Sequence, residues 1–368
     1  MQSSVVKPSI RLINFDLLRL LLAWLVLFSH TFALFYGSGN TLIFNLFPSG
    51  EIGVFAVYCF FTLSGFLITE SYVRMDNADL FVKARFLRIF PAYVVVVLIA
   101  TFLIGPVFTN LDVLAYLQNM TVYKYVAFSI FQKANFNLPG VFYQNPYPYA
   151  VNGSLWTIYY ELRMYFVTLA LGFFGVFKSV KKTTFALLAL ILLLPLYHGF
   201  FSLESMDGVQ LIILKMHLAY LLGSLTFFYQ KQFFSTVYVF AALVFANVFL
   251  DSAYVSSCLV SYCVLFIGVN RKLNVFQKLN ISDVSYGLYL YAFLIQQAII
   301  AAFPQLSFLQ YLVYSTLLSV FAGWLSFVYI EKPFLKLRYK KFEHRFLQIE
   351  KFKEYLKIKV KILQKASL

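Results

Sequence analysis

Residues 14–35 read NFDLLRLLLAWLVLFSHTFALF, and the fold turns on how this stretch is read. It is long and apolar enough to cross a bilayer, which takes about 20 residues of helix. Yet it carries three ionisable side chains, Asp16, Arg19 and His30. A helix turns 100° per residue, so the eleven steps from Arg19 to His30 make about three turns plus 20°. Both residues therefore share one face, about 16 Å apart along the axis. Asp16 lies one turn before Arg19 on that face. Each such group in a lipid-spanning helix costs about 2.5–3.5 kcal/mol even on insertion scales, so its default reading is function. The stretch predicts a membrane helix with a chemically active face.

The rest of the chain agrees. It is 61% hydrophobic and 12% charged, with a mean hydropathy of +0.77, and 368 residues could not hide that much apolar surface in one water-soluble core. Apolar runs fall at 17–36, 51–72, 91–109, 154–177, 184–201, 209–229, 233–250, 253–269, 284–303 and 308–330. The fold class expected is an all-α polytopic membrane protein of about ten transmembrane helices. Basic residues occupy alternate connections: Lys7 and Arg11, then Arg74 to Arg88, Lys178 to Lys182, Lys231, Arg271 to Lys278, and the tail from Lys332. The other connections hold Glu51, Asp112, Glu204, Asp207 and Asp251. The positive-inside rule then puts both termini in the cytoplasm and requires an even number of spans.

The net charge of +15 needs no nucleic acid to explain it, since most of it is topological. Residues 1–331 read as one transmembrane domain and 332–368 as a basic amphipathic cytoplasmic tail, suited to anionic lipid headgroups. A solvated orientation signal is the plainer reading of the same tail. Cys59, Cys258 and Cys263 lie in apolar runs without CxxC spacing, and no metal or haem motif is visible. The first hydrophobic run is too long for a signal-peptide core and is expected to be retained. Residues 110–153 form a long external connection, with a helix-like piece from Leu111 to Ile130 and then the Pro/Asn/Tyr-rich stretch LPGVFYQNPYPYAVNGS, which ends at Ser154. A connection of that length is commonly a lid or a binding loop.

Three further places carry polar chemistry. In DLFVKARFLRIFPAY, residues 79–93, Arg85 and Arg88 point the same way at i and i+3, and Pro91 can open the next helix. Spacing alone allows either a clamp for phosphate groups or an anchor at the lipid headgroups. In FFTLSGFLIT, Ser64 and Gly65 interrupt large residues, so another backbone or a slim ligand can come close. In NGSLWTIYYELRMYFV, residues 152–167, Asn152 to Ser154 form a turn and helix start, Trp156 suits an interface, and Ser154 and Glu161 stack on one face. Arg163 is turned away from Glu161 by about 160°. Glu161 is therefore expected to pair with a group from another helix, such as Arg19 or His30. His198, His217 and His344 read as hydrogen-bonded or solvated residues, and no Gly-x-Ser-x-Gly elbow supports a serine hydrolase.

Taken in order, these motifs resemble the acyltransferase-3 family of integral membrane acyltransferases, particularly members that O-acetylate bacterial surface polysaccharides. The matching residues are Asp16, Arg19 and His30; Ser64 to Ile68; Arg85, Arg88 and Pro91; Ser154 to Trp156 with Glu161; Ser285-Tyr286-Gly287-Leu288-Tyr289-Leu290-Tyr291; and Glu331-Lys332-Pro333. They run from the first span to the last. The resemblance implies an acyl-CoA donor, an essential histidine at His30 and an Arg85/Arg88 pair at the donor entrance. Many members carry a histidine and a proline just after the Tyr-rich motif, where this chain has Ala292, Phe293 and Leu294, so no role for that histidine transfers. Some also carry a C-terminal esterase-like domain, where this chain has its basic tail.

The resulting expectation is transfer of an acetyl group from acetyl-CoA to a hydroxyl of a surface glycan or its lipid-linked precursor, in the bacterial inner membrane, without a metal. His30, Arg19 and Glu161 are the expected catalytic residues, with His30 as general base or as a transient acetyl carrier. Arg85, Arg88, Ser64 and Gly65 would receive the donor, and Asp16, Ser154, Trp156 and Tyr286 the substrate. The partners expected are the glycan acceptor, membrane lipids and separate polysaccharide-assembly proteins. A glycan transporter or flippase is the alternative from another class, although no inverted repeat is evident and few helices are broken by Gly or Pro. A glycan polymerase would also suit the long external loop.

Overall fold

The structure, a computed structural model, describes residues 13–37, 51–130, 137–199, 208–233, 245, 253–269 and 283–338. Apart from the connections, above all the turn-rich stretch 137–152, these segments are helical. The helices are α1 (Ile13–Tyr36), α2 (Ile52–Met75), α3 (Ala78–Ile99), α4 (Val113–Gln118), α5 (Met120–Ile130), α6 (Trp156–Phe173), α7 (Val180–Gly199), α8 (Gly208–Phe233), α9 (Ala253–Val269), α10 (Ser285–Ala302) and α11 (Phe308–Ser326). Helix α3 runs on through a π-helical turn to Phe108, and α11 through another to Arg338. Six of these, α1, α2, α3, α8, α10 and α11, are long and apolar enough to span a bilayer. Helices α6, α7 and α9 fall on three more of the expected spans. The expected span at 233–250 and the tail beyond Arg338 lie outside the described residues.

Helix α2 is the centre of the bundle, packed along α8 and flanked by α1 and α6. Two glycines make the α2–α8 crossing close. A Cβ on Gly65 would fall 1.9 Å from the Tyr220 carbonyl oxygen, and one on Gly223 would fall 2.1 Å from that of Thr62. Without an aqueous driving force between helices, such backbone contact and interhelical hydrogen bonds hold the bundle. The bonds are there: Thr69 Oγ1 donates to Ser224 Oγ at 2.9 Å, and Ser224 donates to the Gly65 carbonyl at 3.2 Å. Large outward residues such as Leu103, Val107, Phe166, Leu192 and Leu317 remain exposed, as a lipid-facing surface requires.

Two local expectations are corrected. Pro91 does not open a helix: α3 starts at Ala78, capped by the Asn77 side chain on the Leu80 N–H at 2.9 Å, and Pro91 sits inside it. Neighbouring helices compensate for the missing donor in such a place. Arg85 and Arg88 are thereby fixed on the same rigid element as the span. The helix-like piece from Leu111 to Ile130 is two helices, because Asn119 ends α4 and caps α5 by accepting from the Thr121 N–H at 2.9 Å.

Candidate active site

Helices α1, α3, α10 and α11 meet in an ion-pair chain. Arg19 Nη1 donates to Asp283 Oδ2 at 3.0 Å, and Arg88 donates to the same oxygen. Arg88 also reaches Glu331 Oε2 at 2.9 Å, and Ser285 donates to Asp283 Oδ1 at 2.7 Å. Glu331 is 1% exposed, so this is charge withdrawn from solvent and matched group by group. Burial opposes the charge on Asp283, just ahead of α10, but Arg19 and Arg88 outweigh it and hold the carboxyl well below the usual carboxylate range.

Above this chain lies a cavity of about 110 Å³ between α1, α2, α3, α6 and α10. It is smaller than the several hundred Å³ of a pocket for a whole drug-sized ligand, and so admits only the slim end of a chain. Arg19, Ser64, Arg85, Arg88, Glu161, Tyr165 and Tyr286 are on its wall. Glu161 Oε1 accepts from Ser64 Oγ at 3.2 Å and from the Tyr165 hydroxyl. Arg85 differs from Arg88. Among the described residues it has no carboxylate partner; Nη2 makes a 3.4 Å bond to Ser71 Oγ, the guanidinium carbon lies 5.9 Å from the Phe81 ring centroid, and Nε is buried without an acceptor. Its donors remain available to a ligand.

Thr157 and Tyr289 are also on the wall. The Tyr289 hydroxyl donates to the Ser154 carbonyl at 3.0 Å and lies 2.6 Å from Thr157 Oγ1, tying α10 to the start of α6. One helical turn further along α10 stands Phe293, with the His30 ring edge-on to it at 5.2 Å. Gly153 packs on the other side of Phe293, where a Cβ would come within 2.8 Å of the ring. The connection before α6 folds over this place: Asn145 donates to Gln297 Oε1 at 2.8 Å, and Gln297 donates to the carbonyls of Tyr147 and Ala150 at 2.8 and 2.7 Å. Here buried polar atoms lack partners among the described residues. They are His30 Nδ1, Asn152 Oδ1, Ser154 Oγ and Gln296 Oε1. Native structures leave few such atoms, and each calls for an explanation such as a missing ligand or a catalytic role.

The structure thus gathers Arg19, Ser64, Arg85, Arg88, Glu161 and Tyr286 in one cavity. His30, Ser154, Trp156 and Asp16 are off the cavity wall, and the Trp156 ring meets that of Tyr160 edge-on at 5.7 Å. Gly65 faces α8 and serves helix packing. The expected pairing of Glu161 with Arg19 or His30 is replaced by hydroxyl donors from Ser64 and Tyr165. Sequence reasoning missed Asp283 and Tyr165, and named Tyr289 only within the Tyr-rich motif. A signal for Tyr165 was present, because Ser154, Thr157, Glu161, Tyr165 and Thr168 recur at steps of three and four in an otherwise apolar helix.

Comparison with known proteins identifies the family. The acyltransferase-3 family model, an acyltransferase domain, matches residues 12–331. An O-acetyl transferase of Shigella phage Sf6 is 28% identical over 333 residues, covering 87% of this chain and 95% of its own. Nodulation protein 10 of Rhizobium leguminosarum bv. viciae is 38% identical over 161 residues, covering 41% of this chain and 42% of its own. No solved structure matches. With the family model spanning nearly the whole helical bundle and every charged residue of the cavity, the chain belongs to the acyltransferase-3 family and is a membrane acyltransferase.

Proposed function

We propose that this enzyme moves an acetyl group from cytoplasmic acetyl-CoA to a hydroxyl of a cell-surface glycan or its lipid-linked precursor, working in the bacterial inner membrane. The observation that carries the reading is the narrow cavity with Arg85 unpaired at its wall and Glu161 beside it, separated by one tyrosine from the unsatisfied imidazole of His30. Arg85 faces the phosphate end of the donor, and the pantetheine arm lies along Ser64 with its thioester toward Tyr289. Arg88, neutralised by Asp283 and Glu331, holds the wall on which Arg85 stands. The Sf6 protein's name supports O-acetyl transfer as the acyl chemistry.

In the reaction the acceptor hydroxyl oxygen attacks the thioester carbonyl carbon as the carbon–sulfur bond breaks. His30 takes the hydroxyl proton and returns it to the departing sulfur, giving an ester and free CoA. General base catalysis of this kind contributes about 10²–10⁴ in rate. Arg19 offsets negative charge on the donor side, Glu161 orients the donor through Ser64 and Tyr165, and Asn152 and Ser154 offer their unpaired atoms to the sugar. Mass spectrometry of surface glycans from cells with and without the protein tests this. A gain of one acetyl unit per modified sugar is expected, together with CoA release by purified protein given acceptor. Transport of intact glycan without CoA release would replace this reading with that of a flippase.

A further inference from the structure

Arg163 has no part in the site above. It sits near the middle of α6, two residues from Glu161 and on the opposite side of the helix, and is exposed. In a water-soluble protein such an arginine would need no comment, but in an apolar membrane helix it calls for a partner. Among the described residues no carboxylate pairs with it. Its guanidinium carbon instead lies over the rings of Tyr159 and Tyr160, 5.8 and 5.9 Å from their centroids. Those rings are one turn nearer Trp156, so the charged head leans toward that end of the helix, as snorkelling side chains do.

This head stands at one end of a groove of about 580 Å³ between α6, α7 and α8. Tyr159 and Arg163 lie toward the Trp156 end with Leu194 and His217, while Phe166, Val167 and Leu190 line the rest. The wall is open outward, with Tyr159 41% and Phe166 69% exposed. Cation and phenol at one end and hydrocarbon below is the order of groups in a membrane lipid. A guanidinium fork matches phosphate oxygens bidentately, and its position over the tyrosine rings orients it without using its hydrogen-bond donors. A free phosphate ion would leave the apolar part of the groove unexplained.

We propose that this groove binds a membrane phospholipid, with its phosphate on Arg163 and one acyl chain along Phe166, Val167 and Leu190. The site is separate from the acyl-transfer cavity, on the other face of α6, and does not depend on the reaction assigned to that cavity.

Native mass spectrometry of the delipidated full-length protein, titrated with phosphatidylglycerol and separately with inorganic phosphate, tests the assignment. One tightly held lipid per chain is expected for the wild type. Arg163→Gln should weaken it about tenfold, the loss of one charge-assisted hydrogen bond. Leu190→Trp, which fills the groove and keeps the charge, should weaken lipid binding while leaving the phosphate titration unchanged. Lipid held as tightly by Leu190→Trp as by the wild type overturns the proposal, whether or not Arg163→Gln folds. So does phosphate binding at Arg163 without lipid binding.

Discussion

The two ends of the polar interior are built on opposite principles. At one end Arg19, Asp283, Arg88 and Glu331 satisfy one another, and four helices meet in their contacts. At the other, His30, Asn152, Ser154 and Gln296 each leave a buried polar atom without a partner among the described residues. The first arrangement resists change, because removing one charge strands another in low dielectric. The second leaves hydrogen-bonding capacity for something that arrives. Between them lies Arg85, on the paired end's own helix yet free of a carboxylate. In the proposed reading the ion-paired residues are framework, and the chemistry falls to groups left incomplete.

That contrast can be broken at several points. Asp283→Ala should do the most damage, about 3–5 kcal/mol, since it strands the Arg19 guanidinium and leaves Arg88 with Glu331 alone. Thermal unfolding in detergent should show it, with Asp283→Asn milder; an unchanged melting temperature would mean the ion-pair chain is not framework. Gly65→Ala should cost about 1–3 kcal/mol by driving a methyl group into the Tyr220 carbonyl, again read from thermal unfolding. Arg85→Gln is expected to raise KM for acetyl-CoA about tenfold with little change in melting temperature. Arg88→Gln should show the reverse pattern, and equal kinetic effects at the two positions would erase the distinction between them. The smallest effect is expected for Tyr289→Phe, which loses about 1 kcal/mol of hydrogen bonding and loosens the tie between α10 and the start of α6. Its signature would be faster CoA release in the absence of acceptor, measured with a thiol reagent.

Much of this was legible in the chain. The long apolar runs gave the helices because a spanning helix must be apolar along its whole length, and α9 matches the expected run at 253–269 residue for residue. The charged face of α1 was readable because helical spacing is local. Pro91 misled, since a proline tolerated inside a packed membrane helix looks in sequence like one at its start. The site was only half visible. That Arg88 is spoken for and Arg85 is not depends on Asp283, 195 residues later in the chain, and no local pattern carries such a contact. The partner of Glu161 was sought among charges, whereas hydroxyls on its own stripe and on α2 supplied it.

The account rests most heavily on His30. Purified wild-type protein and His30→Ala, matched for melting temperature and acetyl-CoA binding, should be compared for transfer of labelled acetyl to a glycan acceptor. A fall in transfer of about 10²–10⁴ with donor binding intact is expected. Transfer by His30→Ala at the wild-type rate would contradict it.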